Sequence, residues 1–299
     1  MPNLNTGLTA WKRRTNHNRM LDFQAADLPP PEASGTVGLE FFGSSAFRVT
    51  APSGMTVMLD PWRNHPSGKW DWYFHDFPLT EVDIGVSTHA HFDHDALDRL
   101  DASVLLDRPI GRYEFADVRI TGIADKHATD FSQAPYDAGA LMMAFEGIDV
   151  RPPNNPRSWD HCLVLVETGG LRILHWADNR PNPPEAVWQA LGRIDVLLMP
   201  IDDSRHVMGW DAAESVIARL KPKIVVPHHY YIWNVVQRQS TLQPAKPWVA
   251  AQLDVWEPDG PSVSLTPELL AAADGQVLYF GDRVGFDVDA WLRGPEQET

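Results

Sequence analysis

The chain has 299 residues, 43% hydrophobic and 22% charged, a balance that supports a large buried core in one big α/β domain or two smaller ones. Its 40 acidic residues outnumber 25 basic ones, for a formal net charge of −15, which argues against phosphate backbones and anionic membranes as partners. The single cysteine, Cys162, excludes an internal disulfide framework and any cysteine-rich zinc module.

Residues 1–35 read as an extension ahead of a single folded body over 36–299. Lys12, Arg13 and Arg14 form a basic cluster with no apolar run behind it, so it reads as a solvated arm and not a targeting signal. No apolar run approaches the roughly 20 residues of a membrane helix, so no membrane insertion is expected and the placement reads as cytoplasmic. Short apolar runs at 38–42, 46–50 and 56–60, broken by Gly-Ser-Ser and Pro-Ser-Gly, predict three strands joined by tight turns. An irregular segment rich in Trp62, Trp70, Trp72, Tyr73 and Phe74 follows. A strand at 83–88 then runs into a histidine-rich loop, with a helix expected at 95–100. Further strands are expected at 103–106, 118–123, 141–145, 163–167, 171–175, 195–200 and 223–227. Helices are expected at 184–191 and 211–220, the second carrying Ala212, Ala213, Val216, Ile217 and Leu220 at helical spacing. The tail, 263–294, predicts one or two strands and a closing helix. Strand runs each followed by helices predict two sheets face to face with helices outside.

The strongest chemical signal is Ser87-Thr-His-Ala-His-Phe-Asp-His94. His89, His91, Asp93 and His94 place four metal-capable side chains within six residues, directly after a strand. Alternation on an extended loop aims His89 and His91 the same way, leaving Asp93 and His94 to turn toward a neighbouring point. Imidazole and carboxylate without thiolate suit zinc, manganese, iron or nickel.

With this loop in place the chain resembles the metallo-β-lactamase superfamily. The similarity is greatest to the branch containing ascorbate-6-phosphate lactonases and the phospholipase D that hydrolyses N-acylphosphatidylethanolamines. Five motifs stand in order: Met58-Leu-Asp-Pro61, the histidine loop, Ala124-Asp-Lys-His127, Ile173-Leu-His-Trp-Ala-Asp178 and Val225-Val-Pro-His-His-Tyr230. The resemblance implies an αββα four-layer sandwich and two divalent ions, zinc first, with manganese or iron as alternatives. It implies one ion on His89, His91 and His127, the other on Asp93, His94 and His229, and Asp178 bridging. His161 rivals His127, and His228 rivals His229. The fourth motif departs from the branch, which has Gly-Asp-Thr where this chain has Ala177-Asp-Asn179. Asp202, His206, Met208 and Gly209 resemble a loop that lies over the site in the branch, which makes His206 a candidate substrate contact or an exposed loop histidine.

Two ions sharing a hydroxide lower its pKa and stabilise the developing oxyanion. The expected activity is therefore hydrolysis of a lactone, ester or amide bond in a small molecule, with Asp93 and Asp178 at the chemistry. Asp60 is expected to accept from a ligand histidine's second nitrogen. His175 is a candidate donor to the leaving group or a structural histidine. Trp62 and its aromatic neighbours are candidates for a wall around the site, or for core. A phosphodiesterase, an iron-dependent redox enzyme and a non-catalytic metal-binding protein are the alternatives. The acidic charge weighs against a nuclease, and the filled ligand positions weigh against the last two. The branch also implies an assembly of identical chains.

Overall fold

The computed structural model describes residues 19–65, 68, 71–128, 160–204, 207–237 and 241–294. The strand expected at 141–145, Trp70 and His206 lie outside the described residues.

The first sheet is built from β1 (Val37–Phe41), β2 (Phe47–Thr50), β3 (Thr56–Leu59), β4 (Thr80–Ser87), β5 (Leu100–Asp107) and β13 (Ser262–Leu265). Their order is β13-β1-β2-β3-β4-β5. The second sheet holds β6 (Gly111–Phe115), β7 (Val118–Asp125), β8 (His161–Thr168), β9 (Leu171–His175), β10 (Val196–Pro200), β11 (Ile224–His228), β12 (Val255–Trp256) and β14 (Gln276–Leu278). Their order is β12-β14-β11-β10-β9-β8-β7-β6. The helices are α1 (Arg19–Ala25), α2 (Glu185–Leu191), α3 (Trp210–Leu220), α4 (Lys246–Val249), α5 (Pro267–Ala272) and α6 (Val288–Arg293). This is the α/β sandwich the sequence predicts.

Patterning explains the layers. β1 alternates, burying Val37, Leu39 and Phe41, as a strand with one covered face does. The parallel strands β10 and β11 are buried at every position, matching their unbroken apolar runs. Apolar side chains from both sheets merge into one continuous core. On α3, Ala213 and Val216 are buried, and Ala212, Ile217 and Leu220 pack beside them.

The helix expected at 95–100 is reduced to one 3-10 turn at Leu97–Arg99. Parallel pairing with β4 begins at Thr80↔Leu100, so sheet hydrogen bonds claim Leu100 before a helix can propagate. The sequence pattern also missed β6, β12 and α4, which are short and carry little periodic signal. From Arg19 onward the N-terminal extension is docked. Phe23 is buried, Arg19 donates to the Gly54 carbonyl (2.8 Å), and Gly170 N–H donates to Pro31 (2.8 Å). Among the described residues no helix is long and apolar enough to cross a membrane.

One close approach fixes the strand that leads to His127. A Cβ on Gly122 of β7 would lie 1.6 Å from the Pro109 carbonyl oxygen and 2.9 Å from Cys162 Sγ. That oxygen accepts from the Cys162 thiol at 2.8 Å, and burial pushes the thiol pKa up to about 12. Because the obstacle is backbone, Gly122→Ala must shift a strand. Thermal or denaturant unfolding is expected to register a loss of at least about 1–3 kcal/mol; a variant as stable as wild type would contradict this packing.

Candidate metal centre

Strand direction brings the candidate ligands to one edge of the sandwich. β3, β4 and β5 are parallel, and β9, β10 and β11 are parallel. β7 runs with β9, because β8 is antiparallel to both. Asp60 follows β3, His89 follows β4, His127 follows β7, Asp178 follows β9, Asp202 follows β10 and His229 follows β11. Side chains leaving the carboxyl ends of parallel strands converge in the crevice there. The sheets are joined at this edge by Cys162 N–H donating to Thr88 O at 3.0 Å.

Two groups of donor atoms form. His89, His91, His127 and Asp178 make one and Asp93, His94 and His229 the other, with donor atoms in each group within 4.8 Å of one another. Asp178 faces both. Its Oδ2 lies 3.3 Å from His127 Nε2 and 3.8 Å from His89 Nε2, and its Oδ1 lies 3.5 Å from His94 Nε2 and 3.7 Å from His229 Nε2. Two nitrogens each about 2.0–2.1 Å from a tetrahedral ion stand about 3.3–3.4 Å apart, so these separations fit atoms that share an ion. His94 Nε2 and Asp178 Oδ1 are buried and have no hydrogen-bond partner, which an ion would supply. The donor set therefore fits divalent metal ions.

A second layer of residues fixes the tautomers. Asp60 Oδ2 accepts from His94 Nδ1 (2.8 Å), and Asp202 Oδ2 accepts from His229 Nδ1 (2.9 Å). Thr88 donates to Asp60 through both its amide (2.8 Å) and its hydroxyl (2.8 Å). With its proton so used, the Thr88 hydroxyl accepts from His89 Nδ1 at 3.0 Å. Three histidines thus have Nδ1 engaged and Nε2 turned inward. His91 instead presents Nδ1, 3.0 Å from His89 Nε2, and is the exposed member of the set.

The other candidates fall elsewhere. His161 is buried with its ring 5.0 Å from His89, yet among the described residues it belongs to neither group and neither of its nitrogens has a hydrogen-bond partner. His228 points between the sheets, where its Nδ1 meets the Ser45 hydroxyl at 3.1 Å. His175 is fully buried and donates from Nε2 to Asp60 Oδ2 at 2.9 Å. Trp62 is core, stacked on Tyr73 at 4.2 Å and donating to the Phe42 carbonyl at 3.1 Å.

The sequence reading placed Asp202 in a covering loop and did not foresee its contact with His229. The available signal was a carboxylate two residues beyond β10, whose Pro200 pairs with His228. It also missed Ser44, whose carbonyl accepts from His229 N–H (2.8 Å) and whose hydroxyl accepts from buried Tyr73 (3.0 Å).

A family profile described as "Beta-lactamase superfamily domain" matches residues 38–229. The chain belongs to the metallo-β-lactamase superfamily. A protein of Anaeromyxobacter sp. (strain K) named "UPF0173 metal-dependent hydrolase" is 25% identical over 230 residues, covering 67% of this chain and 77% of the relative. A protein of the same name from Pyrobaculum calidifontis is 26% identical over 205 residues, covering 67% of this chain and 87% of the relative. Among solved structures, a metallo-β-lactamase superfamily protein from Thermotoga maritima superposes with a TM-score of 0.54 at 20% identity, covering 81% of this chain and 97% of its own. That likeness concerns the fold.

In this superfamily member the two donor groups differ electrostatically. Burial lowers the His89 pKa, and the neighbouring His94 and His127 lower it further. Although His91 is exposed as a residue, desolvation of the ring face packed on the cluster, with His127 at 4.6 Å, brings it down to about 4. Burial also works against charge on His94, but Asp178, Asp93 and Asp60 outweigh it and hold His94 up to about 10. His229 is raised in the same way, burial being overcome by Asp178, Asp202 and Asp93. Asp178 is held low despite burial, by His229 and His94.

These shifts set a pH profile for chelator-treated protein. The raised His94 contributes stability that is full below its unfolded value of 6.5 and is lost as pH rises through about 10. The lowered His91 has the opposite sign, its contribution being full above 6.5 and lost as pH falls through about 4. Tm is expected to fall on both sides of neutrality, with a shallower alkaline decline in His94→Asn. An alkaline limb unchanged by that substitution would refute the assignment.

Proposed function

We propose that this protein is a hydrolase dependent on two divalent ions, one held by His89, His91 and His127, the other by Asp93, His94 and His229, with Asp178 between them. The observation that carries this reading is the Asp178 carboxylate, which turns one oxygen to each histidine group at 3.3–3.8 Å. The relatives named as metal-dependent hydrolases support it from outside the site. Zinc suits the imidazole and carboxylate donors, as do manganese and iron.

When bound, such ions supply a water activated near neutral pH and positive charge opposite the attacked group. The protein's residues supply the geometry. Asp178 sets the separation of the two sides. Asp93, whose Oδ2 lies 3.4 Å from His229 Nε2, would accept a hydrogen bond from such a water and aim it. Asp60 and Asp202 keep His94 and His229 turned inward. Exposed His91 marks the open side, where half-buried Phe92 packs edge-on to buried Trp72 (5.8 Å). That aromatic rim suits a small molecule with an apolar part near a lactone, ester or amide bond.

The test couples metal content to activity. Elemental analysis of purified protein is expected to give close to two ions per chain, falling in Asp178→Ala. A screen led by lactones, with esters, amides and phosphodiesters alongside, is expected to yield hydrolysis that drops more than about 100-fold in the same variant. A wild type without bound transition metal, or a variant with full activity, would overturn the reading.

A further inference from the structure

Resting on the two-ion reading, we infer that His175 is a positioning residue that locks His94 in its metal-binding pose through Asp60, so that the second sheet sets the ligand geometry of the first.

Asp60 Oδ2 is the hub. It accepts from Thr88 Oγ1 (2.8 Å), from His94 Nδ1 (2.8 Å) and from His175 Nε2 (2.9 Å). Thr88 and His94 share the loop after β4, so their bonds to Asp60 are internal to the first sheet's edge. His175 comes from the other side, as the last residue of β9. Three residues further along the same segment is Asp178, the carboxylate that faces both histidine groups. One short stretch of chain therefore grips the metal centre twice. Asp178 reaches His94 Nε2 at 3.5 Å, and His175 reaches the same imidazole from behind, through Asp60 at its Nδ1.

Among the described residues His175 has no hydrogen-bond partner besides Asp60. Asp60, His94 and His175 are all fully buried. Phe47 stands edge-on to the His175 ring at 6.2 Å, and His228 lies 5.1 Å away with its Nδ1 turned to Ser45. Asp60 itself sits at φ +45°, a left-handed backbone for a non-glycine residue, so its orientation is imposed by its surroundings and not by local preference. Removing the His175 bond leaves Oδ2 held only by groups on the loop it is meant to orient. Residues that orient a ligand histidine are worth about 10–100-fold in metal affinity.

The experiment compares His175→Gln, whose amide reaches the place of Nε2, with His175→Asn, whose amide falls short at the place of Nδ1. Phe47→Leu serves as a packing control beside the same ring. Cobalt(II) is titrated into chelator-stripped protein and read by visible absorption and by competition with a chelator. Asn is expected to weaken the cobalt held by Asp93, His94 and His229 about 10–100-fold and change its absorption band. Gln is expected to stay within a few fold of wild type, and Phe47→Leu to lower Tm without moving the affinity. Equal affinities in Asn and wild type, or a loss in Phe47→Leu matching that in Asn, would overturn the role of His175. The two-ion reading is judged separately, by the wild-type stoichiometry. If wild type takes up one ion, the Asn-to-Gln ratio for that ion decides on His175; if none, both inferences fall.

Discussion

A carboxylate buried among imidazoles is the constraint around which the rest of the chain is arranged. Asp178 is almost wholly withdrawn from solvent, and an ionised carboxylate there costs several kcal/mol unless positive charge surrounds it. Four ring nitrogens face it from two directions. No single strand could supply them, because side chains along a strand diverge to opposite faces. Parallel strands ending at a common edge can, and both sheets of the sandwich end there. The layered core is thus a device for delivering six strand ends to one place.

The rest of the polar interior is organised by the same requirement. Asp60 and Asp202 answer each other across the site, one from each sheet, each bound to the outer nitrogen of a histidine. Their environments differ: Asp60 is drawn low despite burial by His175 and His94, whereas burial keeps Asp202 raised against the pull of His229. The turn of Gly43, Ser44 and Ser45 closes the third side. Its backbone and hydroxyl groups reach His229 and His228, and Ser44 at φ +51° pays the conformational strain of doing so.

Much of this was legible in the sequence for a physical reason. The histidine loop is contiguous, and each remaining candidate ligand follows an apolar run that could only be a strand. What could not be read was direction. His228 and His229 are neighbours, and one-dimensional pattern does not say which turns inward. The answer depends on His228 being the last residue of β11, paired with Pro200, and on His229 adopting φ +60°. His127 and His161 posed the same difficulty, because antiparallel pairing of Asp125 with His161 brings both to one edge. Asp202 carried no motif of its own, and its partner became visible only when two parallel strands were laid side by side. The helix expected after the loop failed because local periodicity there competes with a long-range pairing it cannot sense.

The exposure of His91 gives the site a sidedness in time as well as space. All other members of the two groups are buried, so among the described residues His91 is the member that meets solvent. A rotation of that one side chain would leave the core undisturbed, whereas releasing His94 or His229 requires breaking buried contacts to Asp60, Asp178 and Asp202. On the two-ion reading, the His91 side would be the first to admit water or a competing ligand, while the other would open only as the sandwich itself breathes.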